Sequence, residues 1–128
     1  MIYLDTSVLL AQLLAEDRFP APGLWEETLV SSRLLEYEVW TRLNALGLAG
    51  DLGEDARTLI ARVALLELVP QVFARALEPF PAAVRTLDAL HLASLHFLGE
   101  QGQRVTLATY DERLAAAAAA LGVSVMAP

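Results

Sequence analysis

Short apolar segments of strand type alternate with segments of helical periodicity along this chain, and this alternation restricts its fold more than any other feature. The predicted strands are Ile2–Leu4, 28–32, 65–69, 104–109 and 123–126. The predicted helices are 8–14, 33–46, 51–62, 72–77, 87–98 and 111–121. Segment 65–69 could equally extend the helix before it. The alternation favours an α/β domain, with three α/β/α layers around a short, mostly parallel sheet.

The size of the chain favours one domain over residues 1–128. Of its 128 residues, 55% are hydrophobic, which is enough for a sizeable buried core. No segment offers the run of about 20 strongly apolar residues that a membrane span requires. The chain opens on an apolar segment that ends at Asp5, with no basic segment before it. This opening lacks the pattern of a signal peptide and predicts a cytoplasmic protein.

Cysteine content and charge exclude several classes of protein. With no cysteine in the chain, disulfides and thiolate metal sites are excluded, and only oxygen and imidazole ligands remain. A formal net charge of -7 argues against a protein that coats duplex nucleic acid. It does not exclude a nuclease, because all nine basic residues are arginines, which suit bidentate phosphate contacts.

Four acidic residues occupy informative positions in the predicted fold. Asp5 follows the first strand, and Asp111 follows the fourth. Glu38 lies near the edge of the apolar face of helix 33–46, and Asp88 lies in the first turn of helix 87–98. Functional crevices in open α/β sheets form at the carboxyl ends of the strands, so we expect these carboxylates to converge there.

Each acid also has a structural explanation. Asp88 and Asp111 could each cap a helix, and Glu38 could be a solvated residue at the edge of its helix. Asp5 is harder to explain in this way, because a carboxylate that ends a central strand is desolvated unless something pairs with it. Taken together, converging carboxylates would repel one another, and a cation relieves that repulsion. Oxygen ligands select Mg²⁺ or Mn²⁺, and one or two ions would serve to activate water and stabilise charge on a phosphodiester.

Four motifs carry a resemblance to a known family. They are Leu4-Asp5-Thr6-Ser7-Val8-Leu9, Leu35-Glu36-Tyr37-Glu38-Val39 with Leu43, Leu87-Asp88-Ala89-Leu90-His91-Leu92-Ala93, and Thr109-Tyr110-Asp111-Glu112-Arg113-Leu114. In order and spacing they resemble the acidic motifs of PIN-domain ribonucleases, most closely the VapC-type toxins of bacterial toxin–antitoxin pairs. The resemblance spans essentially the whole chain.

The resemblance implies a single PIN-like nuclease domain that cleaves RNA by metal-activated water. It implies that Asp5, Glu38, Asp88 and Asp111 are catalytic and ligate Mg²⁺ or Mn²⁺, directly or through water. It also implies that Thr109, with Thr6 or Ser7 as further candidates, hydrogen-bonds to water, phosphate or a carboxylate. Glu36 remains an alternative to Glu38 in that register. The implied partners are an RNA substrate, a cognate antitoxin protein and a second copy of the chain in a homodimer.

Two neighbours of Asp88 have less specific signals. His91 lies three residues after Asp88 on the same helix, but within an apolar Leu-His-Leu-Ala segment it is assigned to helix packing rather than to ligation. Arg85 lies one helical step before Asp88. Three roles stay open for Arg85: it contacts phosphate, it holds a carboxylate in place, or it is an ordinary surface arginine.

Two rival functions stay open. The first is a phosphatase that uses Asp5 as its nucleophile. It is disfavoured because position seven is Ser7, where a second acid is expected, and because no lysine exists to hold a phosphoryl group. The second is a noncatalytic protein-binding α/β domain in which the acids are caps and surface charges. An activity that depends on metal would distinguish the nuclease from it.

Overall fold

The computed structural model describes residues 1–128 and contains a five-stranded sheet and six α-helices. The strands are β1 (Ile2–Leu4), β2 (Leu29–Ser32), β3 (Val63–Leu66), β4 (Thr106–Ala108) and β5 (Ser124–Met126). The helices are α1 (Thr6–Leu13), α2 (Leu34–Ala45), α3 (Ala49–Ile60), α4 (Pro70–Ala76), α5 (Thr86–Glu100) and α6 (Glu112–Ala120). A short 3₁₀ helix, Pro22–Glu26, precedes β2.

The sheet is parallel throughout, with strand order β3-β2-β1-β4-β5. Each connection between consecutive strands contains a helix, as parallel pairing requires. From β1 the chain builds the sheet outward to β3, then returns to the other side of β1 with β4 and β5. The order therefore reverses between β1 and β4, where Leu4 is the register partner of Ala108. Ligand crevices in open α/β sheets form at the carboxyl ends of strands at such a reversal.

Helices cover both faces of the sheet. Alternate residues of a strand point to opposite faces, and in β1 Ile2 and Leu4 pack on one side while Tyr3 packs on the other. Buried side chains of α1, α2 and α3 complete the first core, and buried side chains of α5 and α6 complete the second. The predicted three-layer α/β/α arrangement is confirmed. None of the helices combines the length and the apolar content needed to span a bilayer.

The predicted position of the third strand is wrong. Segment 65–69 was expected to form it, whereas the strand is Val63–Leu66. Pairing with β2 sets this register, because it places Val63 opposite Leu29 and buries the Val63 side chain. Val69 is extended but leads directly into Pro70, the first residue of α4, which therefore begins two residues before the predicted 72–77 helix. The ends of the other predicted elements differ from the observed ends by at most two residues.

Candidate active site

A cleft of about 750 Å³ opens beside the carboxyl ends of β1 and β4. All four predicted acids line it: Asp5, Glu38, Asp88 and Asp111. They come from four parts of the chain, namely the ends of two strand-to-helix turns and the inward faces of α2 and α5. The fold therefore brings together the acids that the sequence analysis singled out.

Asp5 is buried at the N-terminus of α1, where its side chain accepts a hydrogen bond from the backbone of Ser7. Its Oδ2 also accepts hydrogen bonds from the hydroxyls of Ser7, at 2.6 Å, and Thr109, at 2.8 Å. These donors offset the cost of burying the carboxylate. Its Oδ1 accepts no hydrogen bond and is not closed off from solvent.

Thr109 directly follows β4 and is positioned by strand pairing. Because Leu4 and Ala108 are register partners, Asp5 and Thr109 leave the sheet side by side. The Thr109 hydroxyl donates to Asp5 and accepts from the backbone N–H of Asp111 at 2.9 Å. Thr109 thus connects two acids of the cleft, and its hydroxyl donates to the carboxylate of one of them, Asp5.

Glu38 is held by two donors on the same oxygen. Its Oε1 accepts from the hydroxyl of Thr6 at 3.0 Å and lies 2.6 Å from Nε2 of His91. An ionised carboxylate can only accept, so Nε2 of His91 is the donor. Oε2 of Glu38 accepts no hydrogen bond and, like Oδ1 of Asp5, is not closed off from solvent.

His91 lies between Glu38 and the central strand. Its side chain is 1% exposed, and its Nδ1 lies 2.7 Å from the hydroxyl of Tyr3 on β1. Burial lowers the pKa of His91, but the hydrogen bond to Glu38 and the negative charges of Glu38, Asp5 and Asp88 outweigh it and raise the pKa above its ordinary value. Burial raises the pKa of Tyr3, which keeps its hydroxyl neutral.

Asp88 is not a helix cap. Arg85 occupies the N-cap position of α5, and Asp88 accepts no backbone N–H. Its Oδ2 accepts from Nε of Arg85 at 3.1 Å, and its Oδ1 has no partner in the protein and is not closed off from solvent. Burial raises the pKa of Asp88, and the charges of Asp111 and Asp5 raise it further against the opposing effect of Arg85.

Asp111 has both carboxylate oxygens engaged. Its Oδ1 caps α6 by accepting from the backbone N–H groups of Arg113, at 2.9 Å, and Leu114, at 3.1 Å. Its Oδ2 accepts from the guanidinium of Arg85 at 2.6 Å. The capping explanation is correct for Asp111, and the same side chain also lines the cleft.

The guanidinium of Arg85 bridges Asp88 and Asp111, so a cation already relieves part of the repulsion among the acids. The hydrogen bond and charge of Asp88, together with the charge of Asp111, raise the pKa of Arg85. The side chain of Arg85 is 59% exposed. The sequence left three roles open for Arg85, and the structure shows that it holds carboxylates.

The donor set matches a hard divalent cation, although the acids are not arranged around one. All four are oxygen ligands, which Mg²⁺ and Mn²⁺ prefer. Asp5, Glu38 and Asp88 each offer an unengaged oxygen. No three acidic or histidine side chains lie close enough together to share an ion. Binding one would require the carboxylates to draw together, and Asp111 would join only if Arg85 released its Oδ2.

The sequence left Glu36 as an alternative to Glu38, and in the structure only Glu38 lines the cleft with the other acids. Glu36 points away from the four acids, pairs with Arg33 at 3.6 Å and lines a different cleft with Trp40.

Sequence reasoning missed the contact between His91 and Glu38. The available signal was the spacing of three residues between Asp88 and His91, which places both on one side of α5.

The comparisons with known proteins all indicate the same family. The model of the PIN domain family matches residues 2–120. Ribonuclease VapC46 of Mycobacterium tuberculosis strain H37Rv is 37% identical over 134 residues, covering 99% of this chain and 97% of the relative. Ribonuclease VapC35 of the same strain is 32% identical over 133 residues, covering 100% and 97%. Ribonuclease VapC47 of strain CDC 1551 is 30% identical, with 100% and 97% covered.

Proposed function

This chain belongs to the PIN-domain family, and from that premise we propose that it is a metal-dependent endoribonuclease, the toxin of a type II toxin–antitoxin pair. The observation that carries the proposal is that three carboxylates in one cleft each keep an oxygen without a hydrogen-bond partner. Asp5, Glu38 and Asp88 each have one oxygen without a partner that is not closed off from solvent. On Asp5 and Glu38, hydroxyl and imidazole donors hold the other oxygen.

The proposed cofactor is Mg²⁺, with Mn²⁺ as an alternative, held by Asp5, Glu38 and Asp88, with Asp111 joining once Arg85 releases it. When bound, such a cation activates water and stabilises negative charge on a phosphodiester. Thr109 and Ser7 orient the carboxylate of Asp5. The released guanidinium of Arg85 suits a bidentate contact with the substrate phosphate.

Both rival functions fit the cleft less well. A noncatalytic domain explains Asp5 and Asp111, which cap α1 and α6, but Glu38 and Asp88 cap nothing. An aspartyl phosphatase needs a cation to hold the phosphoryl group, and the chain has no lysine. The name ribonuclease, which the three relatives share, agrees with the first proposal.

The test is cleavage of a mixed cellular RNA pool by the purified protein in Mg²⁺, in Mn²⁺ and in EDTA. We expect cleavage only with a metal ion, and a loss of about 100-fold or more in Asp5→Asn. Asp55→Asn removes the same charge from an exposed position on α3 and should cleave like the native chain. Cleavage that persists in EDTA or in Asp5→Asn would contradict the proposal.

Family membership is also the ground for proposing a homodimer, inhibition by a cognate antitoxin and a cytoplasmic location. Large apolar side chains at α4 and the start of α5 support an interface, since Phe73, Leu77 and Leu87 are 47%, 88% and 39% exposed. Sedimentation of the purified chain should give twice the mass of one copy, and Leu77→Glu should shift it to the monomer. A monomeric native chain would contradict the homodimer.

A further inference from the structure

The acidic cleft continues beyond its carboxylates along one face of α2. Thr41, Arg42 and Ala45 line this extension, with Tyr37 beside them. Together with Glu38, these residues follow the spacing of three and four that places side chains on one side of a helix. The helix face that carries a proposed metal ligand therefore leads into a surface without any acid.

Arg42 is an unengaged cation on this surface. Its side chain is exposed and takes part in no hydrogen bond or ion pair. The arginines that do take part in one are Arg18, Arg33, Arg75 and Arg85. Arg85 is the other arginine of the cleft, and its guanidinium is held by two aspartates. Arg42 lies about one helical turn from Glu38. Of the two arginines that line the cleft, Arg42 is thus the one whose charge no acid holds.

Tyr37 presents an aromatic ring beside the same cleft. Its side chain is 62% exposed, and it forms no aromatic pair or cation-π contact within the protein. Large apolar rings gain free energy by leaving water. An unstacked ring and a free guanidinium in one cleft are the combination that binds a nucleotide base and its phosphate in single-stranded nucleic acid.

We propose that the face of α2 formed by Tyr37, Thr41, Arg42 and Ala45 binds the nucleotides next to the scissile bond of a single-stranded RNA. Arg42 binds a flanking phosphate, and Tyr37 stacks on a flanking base. This inference rests on the proposed ribonuclease function. Charge supports it, because a chain with a net charge of -7 needs a local cation to hold a polyanion beside four acids. A single free arginine fits a strand and not a duplex, which requires a wider basic surface.

The experiment measures the dissociation constant of a short, fluorescently labelled single-stranded oligoribonucleotide of mixed sequence, in Mg²⁺ and at several salt concentrations. Asp5→Asn is the parent chain, since it is expected not to cleave. Adding Arg42→Gln should weaken binding about fivefold or more and make the salt slope shallower by about 0.7. Arg62→Gln removes the same charge from an exposed arginine beyond α3 and should bind like the parent.

Tyr37 is tested in the same assay. Tyr37→Ala should weaken binding by about fivefold or more with an unchanged salt slope, because stacking releases no counterions. Tyr37→Phe should restore binding. Phe19→Ala removes an exposed ring that precedes the 3₁₀ helix, outside the cleft, and should leave binding unchanged. Thermal unfolding of each variant verifies that the fold persists, and Arg42→Lys should keep the salt slope.

The outcomes separate the two proposals. If Arg42→Gln and Tyr37→Ala bind like their controls while the native chain cleaves RNA, the assigned surface is overturned and the ribonuclease stands. If the parent binds no RNA and the native chain cleaves none, both fail. Equal weakening for a duplex oligoribonucleotide would overturn the assignment to single strands.

Discussion

His91 is enclosed by protein on all sides, yet each nitrogen of its ring has a polar partner. Nε2 donates to Glu38 and Nδ1 bonds with the hydroxyl of Tyr3, so a side chain on α5 connects the central strand to an acid on α2. A carboxylate on a helix surface normally samples several rotamers. Here the imidazole and Thr6 both hold Oε1 of Glu38, which leaves Oε2 in one place.

We predict that His91→Phe, which keeps a ring but no donor, weakens Mn²⁺ binding and RNA cleavage by about 10- to 100-fold, because loss of an orienting partner typically has this effect on a metal ligand. The change also leaves the buried hydroxyl of Tyr3 without its partner, at a cost of about 1–3 kcal/mol in stability. Tyr3→Phe is the matched control, since it removes that hydroxyl and leaves the bond between His91 and Glu38. Calorimetric titration with Mn²⁺ should find native affinity in Tyr3→Phe. Native affinity in His91→Phe would contradict a positioning role.

Single residues differed in how well the sequence predicted them. Asp5 was predictable because it follows a central strand, and Asp88 because it begins a strong helix. The contacts of Arg85 and His91 were not, because both join elements distant in sequence: Arg85 reaches Asp111, and His91 reaches Glu38. Periodicity describes one helix at a time, whereas these bonds depend on how the helices pack.

Helix α6 shows what periodicity alone establishes at the scale of an element. A helix was predicted over 111–121, and in its alanine run Ala117 and Ala118 are buried with Leu107 of β4 in one core. The strand β3 shows the limit, because its apolar run continues past the segment that pairs with β2. Hydrophobicity marks a buried segment, and hydrogen bonding to the neighbouring strand decides where the strand begins and ends.

The alanine run provides the prediction at this scale. Ala118 is fully buried, so Ala118→Leu inserts a larger side chain between α6 and the sheet and should destabilise the protein by about 1–3 kcal/mol. Ala116 lies on the exposed side of the same helix, and Ala116→Leu should change stability by less than about 0.5 kcal/mol. Chemical denaturation of the three chains measures the difference. Equal stability of the two variants would mean that α6 does not pack closely on the sheet.

At the scale of the whole molecule, the strand order places acidic side chains where the sheet reverses direction. The carboxyl ends of β1 and β4 meet there, and the turns after them supply Asp5, Thr109 and Asp111. This convergence was predictable from the general rule for α/β sheets. The arginine between Asp88 and Asp111 was not, because nothing in the sequence pattern shows that the fold supplies its own counterion.

That internal counterion should influence how a metal ion stabilises the fold. A ligand that binds only the folded state raises the midpoint of thermal unfolding, and the increase grows with its affinity. In the native chain, Mg²⁺ competes with Arg85, which holds one oxygen of Asp88 and one oxygen of Asp111. In Arg85→Gln the carboxylates are unpaired and repel each other, so the variant should unfold at a lower temperature in EDTA and gain more from Mg²⁺.

We therefore predict that the increase in unfolding temperature between EDTA and Mg²⁺ is larger in Arg85→Gln than in the native chain, although RNA cleavage falls because a phosphate contact is lost. Arg62→Gln carries the same change in net charge away from the cleft and should show the native increase. General damage to the site would reduce both the stabilisation by Mg²⁺ and the rate of cleavage. A larger increase in unfolding temperature together with slower cleavage therefore indicates that the metal ion displaces a counterion. An increase no larger than that of the native chain would show that the metal ion and Arg85 do not compete for the same carboxylates.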